Sequence, residues 1–214
     1  MIQLLLLAKA PVPGRVKTRL CPPWTQQEAA LVAAAALRDT IDALSAVPAV
    51  ARTLVLDNPS GAVVDAPPGW RVLAQRGGSL DERIAAAFLD AARPGVASLL
   101  VGMDTPQLTP EHLNAAADAL SHGDAVVGPA LDGGWWLLGL RDPVAATAVR
   151  GVPMSTAHTG EHTMAALHRR GLTVATTVTL RDVDTAADAV AVAADHRHGR
   201  FARAVASLDG GVSR

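Results

Sequence analysis

The sequence predicts an α/β sandwich, in which helices cover both faces of a mostly parallel central sheet. Short apolar runs alternate with alanine-rich stretches along all 214 residues, and this alternation is typical of repeated β-α-β units. Half of the residues are apolar, which is enough to bury one substantial core. We therefore expect a single domain over residues 1–214, without internal repeats or a long linker.

Seven apolar runs have the length and composition of strands that are buried on both faces. They are Gln3–Ala8, Arg52–Leu56, Arg71–Ala74, Ser98–Gly102, Ala125–Val127, Trp135–Leu140 and Leu172–Val178. The helices between them are marked by capping signals. Thr25 with Glu28, and Thr185 with Asp188, have the spacing of a capping box, and Thr109 precedes a proline at the first helical position. The expected helices are Thr25–Ser45, Ser79–Ala92, a helix from Thr109, Glu161–Arg170 and Thr185–Asp195.

The composition excludes several classes of protein. The formal net charge is -1, and the chain has no Tyr and only two Phe, so the basic stripes and stacking platforms of nucleic-acid binding proteins are missing. The longest apolar stretches are far shorter than the roughly 20 residues that span a bilayer, so we expect no membrane partner. A single cysteine, and no charged leader before the first apolar run, predict a cytoplasmic location.

A basic loop follows the first predicted strand, within a segment from Met1 to Gln27 that contains no acidic residue. Its four cations are Lys9, Arg15, Lys17 and Arg19. Backbone N–H groups around Gly14 are able to approach phosphate oxygens, while Lys17 supplies a point charge and Arg19 a planar fork. Gly14 and Lys17 are not adjacent, so the loop is not a Walker A motif. It predicts an anion site, with a solvated basic loop as the alternative.

Carboxylates follow two other strands, and ligands of open α/β sheets bind beyond the carboxyl ends of the strands. Asp104 ends an apolar run, and Asp182 and Asp184 follow the last one. Mg²⁺ prefers one or two carboxylates together with substrate phosphates. Asp104 with Asp182 or Asp184 therefore predicts a metal site, whereas a turn or a helix cap is the alternative for each aspartate taken alone.

Two further segments allow two interpretations each. Asp132-Gly133-Gly134 before Trp135 has the composition of a hairpin turn, but its glycines would also let a sugar or another acceptor group lie close to Asp132. Gln75–Arg83, with Gly77 at a helix start, is either a plain loop or a place where backbone amides meet a base or ribose.

Four motifs, in this order, resemble those of a bacterial family of small GT-A-like transferases. They are Ala-Lys-Ala-Pro-Val-Pro-Gly-Arg-Val-Lys-Thr-Arg-Leu, Val-Gly-Met-Asp-Thr-Pro-Gln-Leu, Gly-Pro-Ala-Leu-Asp-Gly-Gly-Trp-Trp-Leu-Leu-Gly-Leu and Arg-Asp-Val-Asp-Thr-Ala-Ala-Asp. Members of that family are described as selenodomain-associated transferases or arsenosugar-type glycosyltransferases. The resemblance covers nearly the whole chain and implies the nucleotide-diphospho-sugar transferase fold, a Rossmann-like GT-A three-layer sandwich.

More distantly, the basic loop and the Asp-Val-Asp-Thr run are similar to those of phospholactate guanylyltransferases, and the strand end at Asp104 is similar to that of molybdenum cofactor guanylyltransferases. These likenesses imply that Lys17 and Arg19 contact a triphosphate and that Asp104 and Asp184 hold Mg²⁺ or Mn²⁺. One departure is Trp135, where the family pattern leads us to expect a tyrosine.

Three functions follow as hypotheses. The first is a magnesium-dependent nucleotidyltransferase that joins a nucleoside monophosphate to a small acceptor, with Lys17, Arg19, Asp104 and Asp132 as catalytic residues. The second is a glycosyltransferase that uses a nucleotide sugar, and the third is a nucleotide-binding module without activity. The expected nucleotide contacts are Ala8, Lys9, Gly14, Arg15, Lys17, Arg19, Gly77 and Arg83. The identities of the base and the acceptor stay open, as does a homodimer.

Overall fold

The computed structural model describes residues 1–58 and 60–209, which form a seven-stranded sheet covered by helices. The strands are β1 (Ile2–Lys9), β2 (Ala51–Asp57), β3 (Arg71–Ala74), β4 (Ala97–Gly102), β5 (Ala125–Pro129), β6 (Trp135–Leu140) and β7 (Val174–Thr176). The α-helices are α1 (Gln26–Ala46), α2 (Leu80–Ala91), α3 (Pro110–His122), α4 (Thr159–Arg169), α5 (Ala186–Asp195) and α6 (Arg200–Asp209). Two 3₁₀ helices span Thr18–Leu20 and Pro143–Val149.

The strand order is β3-β2-β1-β4-β6-β5-β7. Only β6 among these strands runs against its neighbours, since it pairs antiparallel with both β4 and β5. The other pairings are parallel. The predicted mostly parallel α/β sheet is therefore confirmed. Because six strands point the same way, their carboxyl ends meet at one edge, where β6 begins.

The core has one layer on each face of the sheet, because successive side chains of a strand point to opposite faces. Leu4 of β1 packs in the layer that holds α1 and α3, whereas Leu5 packs in the layer that holds α2 and α4. A third apolar cluster lies on the outer side of α1, where Trp24 and Phe201 are buried between α1, α5 and α6. The expected three-layer sandwich is present, with α5 and α6 added outside it.

The predicted capping boxes form. Glu28 accepts a hydrogen bond from the Thr25 backbone N–H at 2.7 Å, and the Thr25 hydroxyl accepts one from the Glu28 N–H at 3.2 Å. The same exchange links Thr185 with Asp188 at the start of α5. Both contacts satisfy backbone donors that the first turn of a helix leaves free, so these helices begin where the sequence predicts.

Three details differ from the prediction. Helix α6 was not expected, and it begins where Asp39 of α1 accepts hydrogen bonds from the N–H groups of Arg200 and Phe201 at 3.0 and 2.8 Å. Strand β7 is shorter than the predicted Leu172–Val178, since only Val174–Thr176 pair with β5. Helix α4 begins at Thr159, two residues before the predicted Glu161.

Residues 210–214 of the predicted domain lie outside the described residues. Within the described part of the chain, none of the helices has the length and hydropathy needed to cross a membrane.

Candidate active site

The residues predicted to carry the chemistry meet at the edge of the sheet where the parallel strands end. Asp104 follows β4, Asp184 lies in the segment between β7 and α5, and Lys17 belongs to the loop after β1. The backbone ties two of these segments together, because the Val183 N–H donates to the Asp104 carbonyl at 2.8 Å. Asp104 and Asp184 are thus neighbours in the fold although they lie far apart in the sequence.

Lys17 occupies the centre of this cluster. Its Nζ atom lies 2.5 Å from Asp104 Oδ1 and 3.6 Å from Asp184 Oδ1, and it also donates a hydrogen bond to the Val183 carbonyl. The side chain is only 9% exposed. The sequence predicted an ammonium on an open loop that faces phosphate. The structure instead buries this ammonium among carboxylates, because the loop turns inward at Lys17, whose φ of 49° lies in the left-handed region.

Burial lowers the pKa of Lys17, but the charge and hydrogen bond of Asp104, followed by the charge of Asp184, raise it further. The net pKa lies above the ordinary value for a lysine. Lys17 therefore stays an ammonium at neutral pH and stabilises two carboxylates that would otherwise repel each other.

Asp182 is a third acidic residue of the cluster. One of its carboxylate oxygens, Oδ1, is buried and has no hydrogen-bond partner among the described residues. The pKa of Asp182 is raised to about 7, first by burial and then by the negative charges of Asp104 and Asp132. On residue type alone Asp182 and Asp184 were equivalent candidates for a metal ligand, and the family resemblance implied Asp184. The structure distinguishes them, since Asp184 is 41% exposed and accepts contacts from two cations, Lys17 and Arg19.

Arg19 stands on the outer side of the cluster. Its Nη1 atom lies 3.3 Å from Asp184 Oδ2, and its side chain is 71% exposed. A surface contact of this kind contributes little to stability. The guanidinium is therefore available to a ligand that approaches from solvent.

A pocket of about 240 Å³ adjoins the first half of the basic loop. It is lined by Lys9, Ala10, Val12, Gly14, Arg15, Asp57 and Ser60. Lys9 and Arg15 are exposed, and neither has an ion-pair partner in residues 1–58 and 60–209. Glycine suits position 14 because its φ of 75° lies in the left-handed region. The backbone N–H groups of Ala10, Val12 and Arg15 already donate within the protein, so the two exposed cations are what this pocket offers to an anion.

Three predicted nucleotide contacts, Ala8, Gly77 and Arg83, do not line this pocket. Ala8 is buried, and its carbonyl accepts a hydrogen bond from the Gln75 amide at 2.9 Å. Arg83 contacts the pocket through Asp57, whose Oδ2 lies 3.0 Å from Arg83 Nη1. Gly77 has a φ of 115° in the turn before α2. Sequence reasoning missed Asp57, although it follows an apolar strand just as Asp104 does, and this position was the available signal.

The segment from Asp132 to Gly134 forms the turn between β5 and β6, so the hairpin interpretation is correct. Asp132 Oδ1 accepts a hydrogen bond from the Gly134 N–H at 2.8 Å. The Leu131 N–H donates to the Leu180 carbonyl at 2.9 Å, which ties this turn to the segment that carries Asp182 and Asp184. Gly133 makes room for Ala157 rather than for a ligand, and the role of Asp132 toward an acceptor stays a prediction.

The start of α4 holds this turn in place. The Gly160 N–H donates to the Gly133 carbonyl at 2.8 Å, and a Cβ on Gly133 would stand 1.9 Å from the Ala157 carbonyl oxygen. Nearby, the Trp135 indole N–H donates to the Thr163 hydroxyl at 3.2 Å. The close approach of the two backbones explains why α4 begins before the predicted residue.

The donor set at Asp104 and Asp184 is compatible with a divalent cation, because hard cations prefer carboxylate oxygens. Both side chains are more than two-fifths exposed, so a ligand reaches them from solvent. Within residues 1–58 and 60–209, no three His, Cys, Asp or Glu side chains are arranged to hold a metal ion. A cation at this site would therefore take its other ligands from water or substrate, as Mg²⁺ commonly does.

A larger cavity of about 430 Å³ lies elsewhere, between α1, the start of α3, α5 and α6. None of the residues predicted for the site lines it. Its polar groups include Asp39, whose carboxylate already accepts the hydrogen bonds that begin α6. The candidate site is therefore chosen by the position of charged residues at the strand ends and not by cavity size.

Comparisons with known proteins give the family and the fold of the chain. The sequence profile of the family described as "Uncharacterized protein conserved in bacteria (DUF2064)" matches residues 33–156, which is more than half of the chain. The chain belongs to this family. No curated protein matches it.

Among solved structures, a "putative nucleotide-diphospho-sugar transferase" from Desulfovibrio desulfuricans G20 is similar over 98% of this chain and 96% of its own, with 26% identity and a TM-score of 0.85. Rv0371c from Mycobacterium tuberculosis H37Rv, solved in complex with manganese, is similar over 88% of this chain and 96% of its own, with 19% identity and a TM-score of 0.54.

A 2-C-methyl-D-erythritol 4-phosphate cytidylyltransferase from Thermus thermophilus is similar over 82% of this chain and 88% of its own, with 17% identity and a TM-score of 0.52. At the identities of these last two proteins, the likeness shows the fold alone. The chain has the nucleotide-diphospho-sugar transferase fold that its sequence motifs imply.

Proposed function

We propose that this protein is a metal-dependent nucleotidyltransferase, which joins a nucleoside monophosphate to a small acceptor and releases pyrophosphate. The observation that carries the proposal is the arrangement of Asp104, Lys17 and Asp184 beside the pocket of Lys9 and Arg15. Two exposed carboxylates suit a divalent cation, and the neighbouring cations suit a triphosphate. Such a site offers negative charge to the metal and positive charge to the phosphates of a metal-nucleotide complex.

The proposed reaction is an in-line displacement at the α-phosphorus. An acceptor oxygen forms a bond to this phosphorus, the bond from the phosphorus to the bridging oxygen of the β-phosphate breaks, and the electron pair leaves with pyrophosphate. When the attacking oxygen belongs to a phosphate group of the acceptor, no proton needs to be removed from it. Catalysis then consists of alignment and charge neutralisation rather than covalent chemistry.

The residues divide this work according to position. Lys9, Arg15 and Arg19 are exposed cations that would neutralise the triphosphate and the pyrophosphate that departs. Asp104 and Asp184 would hold Mg²⁺ or Mn²⁺. When bound, the cation polarises phosphate oxygens and neutralises charge that develops on them. Asp132, in the fixed turn beside the carboxylates, would orient the acceptor.

The similar structures support a transferase that uses nucleotides. Rv0371c was solved with manganese, which agrees with a divalent cation, and the enzyme from Thermus thermophilus is a cytidylyltransferase. A second candidate is a glycosyltransferase with a nucleotide-sugar donor, favoured by the name of the Desulfovibrio protein. In that case Asp132 would face the sugar.

Product analysis distinguishes these reactions. The four nucleoside triphosphates and a set of nucleotide sugars are each incubated with Mn²⁺ or Mg²⁺ and a panel of phosphorylated and hydroxylated acceptors. We expect pyrophosphate from one triphosphate, and a loss of about 10²- to 10³-fold in Asp104→Asn. Asp42→Asn, which alters an ion pair with Arg200 between α1 and α6 and touches none of the predicted site residues, is the matched control and should keep its activity.

Release of a nucleoside diphosphate from a nucleotide sugar would replace the proposal with the glycosyltransferase. Nucleotide binding without turnover of any acceptor would favour the module without activity.

A further inference from the structure

The position of the Lys17 ammonium has a consequence for metal binding. Its Nζ atom contacts oxygens of Asp104, Asp184 and the Val183 carbonyl. These oxygens belong to the two segments that follow β4 and β7, and two of them are the carboxylates expected to hold the cation. The ammonium therefore occupies an oxygen-lined position of the kind that a hard cation prefers.

A divalent cation and this ammonium cannot use the same carboxylate oxygens without strong repulsion. Nζ lies 2.5 Å from Asp104 Oδ1, and a cation bound to that oxygen would lie about 2.0 to 2.6 Å from it. Two positive charges would then stand within a few ångströms of each other, and because the Lys17 side chain is only 9% exposed, water does not fully screen their repulsion. Binding of one must weaken binding of the other.

We infer that Lys17 competes with the divalent cation for Asp104 and Asp184, so that the free protein binds the metal weakly and a phosphate-bearing substrate strengthens metal binding by drawing the ammonium away. This inference rests on the proposed function. Lys17 lies on the same loop as Lys9 and Arg15, which line the pocket proposed for phosphate. Its long, flexible side chain therefore lies between this pocket and the carboxylates of Asp104 and Asp184.

Titration of Mn²⁺ alone into the protein, followed by electron paramagnetic resonance of the free ion, tests this directly. We expect Lys17→Met to bind Mn²⁺ at least tenfold more tightly than the native protein. Lys17→Arg keeps a cation in this position and should bind Mn²⁺ as weakly as the native protein. Asp104 and Asp184 are 44% and 41% exposed, so water solvates them in Lys17→Met, and circular dichroism verifies that each variant is folded.

Arg19→Met is the matched control, because Arg19 also contacts Asp184 but from the exposed side. It removes one positive charge from the same cluster without emptying the position between the carboxylates. We expect its Mn²⁺ affinity to change less than threefold. Equal Mn²⁺ affinities for Lys17→Met and Arg19→Met would overturn the competition.

A triphosphate added in a second titration separates this failure from a failure of the proposed function. If the native protein binds Mn²⁺ with a nucleoside triphosphate while Lys17→Met shows no gain with Mn²⁺ alone, the metal-nucleotide site stands and the competition is wrong. If none of the proteins binds Mn²⁺ under either condition, the metal site itself is wrong, and the competition with it.

Discussion

The two halves of the candidate site are built by different physical means. On one side, the basic loop and the carboxylates are held by charge, with Lys17 bridging Asp104 and Asp184. On the other side, the turn after β5 is held by backbone contact, with Gly133 packed directly against the start of α4. The first half contains exposed cations with room beside them, whereas the second contains short hydrogen bonds and little space.

This difference indicates which half adapts to its ligand. Charged side chains such as Lys9 and Arg15 rearrange at little cost, because they are exposed and long. The turn at Asp132 is fixed by the bond from the Gly160 N–H to the Gly133 carbonyl. We therefore expect the charged half to move when ligands bind, while the packed half keeps its shape and selects the acceptor.

The largest effect is expected from Gly133→Ala, which disrupts the contact between the turn after β5 and the segment before α4. The new Cβ would overlap the Ala157 carbonyl oxygen, and the residue would have to keep a φ of 86°. Strain and overlap together should lower the free energy of unfolding by about 3 kcal/mol. Denaturant unfolding measures this loss.

Gly95→Ala is its control, since Gly95 has a φ of 70° but no atom within 4 Å of the added Cβ. It should lose only about 1 kcal/mol, the cost of the left-handed backbone alone. Equal losses in the two variants would mean that the contact with α4 does not hold the turn.

A smaller effect is expected from Asp182→Asn in the charged half. The folded-state pKa of Asp182 is raised to about 7 from 3.8, so the folded protein binds this proton more tightly than the unfolded chain does. The contribution of Asp182 therefore lowers the stability of the native protein as the pH rises from about 4 to 7. Above pH 7 this contribution stays constant.

Asparagine does not ionise, so Asp182→Asn should gain stability relative to the native protein as the pH rises from about 4 to 8, and the difference should shrink toward pH 4. Thermal unfolding at each pH, with a chelator present, measures it. Asp118→Asn, at an exposed position of α3, should show no such trend. The same pH trend in both variants would remove Asp182 from the charged cluster.

Much of this architecture could be predicted because its signals are local. Strand Arg71–Ala74 and strand Trp135–Leu140 have the predicted bounds, and the capping box at Thr25 forms as its spacing indicates. The placement of Asp104 and Asp184 at one edge could also be predicted, since the carboxyl ends of parallel strands meet there.

The rest depends on contacts between distant residues. No local pattern indicates that Lys17 turns inward, because its partners Asp104 and Val183 lie far along the chain. Helix α6 was missed for the same reason, since Asp39 in α1 caps it from the other end of the sequence. The distinction between Asp182 and Asp184 depends on burial, which two acidic residues of one motif do not reveal by themselves.

The central claim is that the carboxylates and the basic loop together bind a metal-nucleotide complex. Calorimetric titration of each nucleoside triphosphate into the native protein and into Asp104→Asn, with Mn²⁺ and then with a chelator, tests it most directly. The account predicts that one triphosphate binds the native protein with Mn²⁺, and that the chelator or the substitution weakens this binding at least tenfold. Equal affinities under all of these conditions, or no binding of any triphosphate, would contradict it.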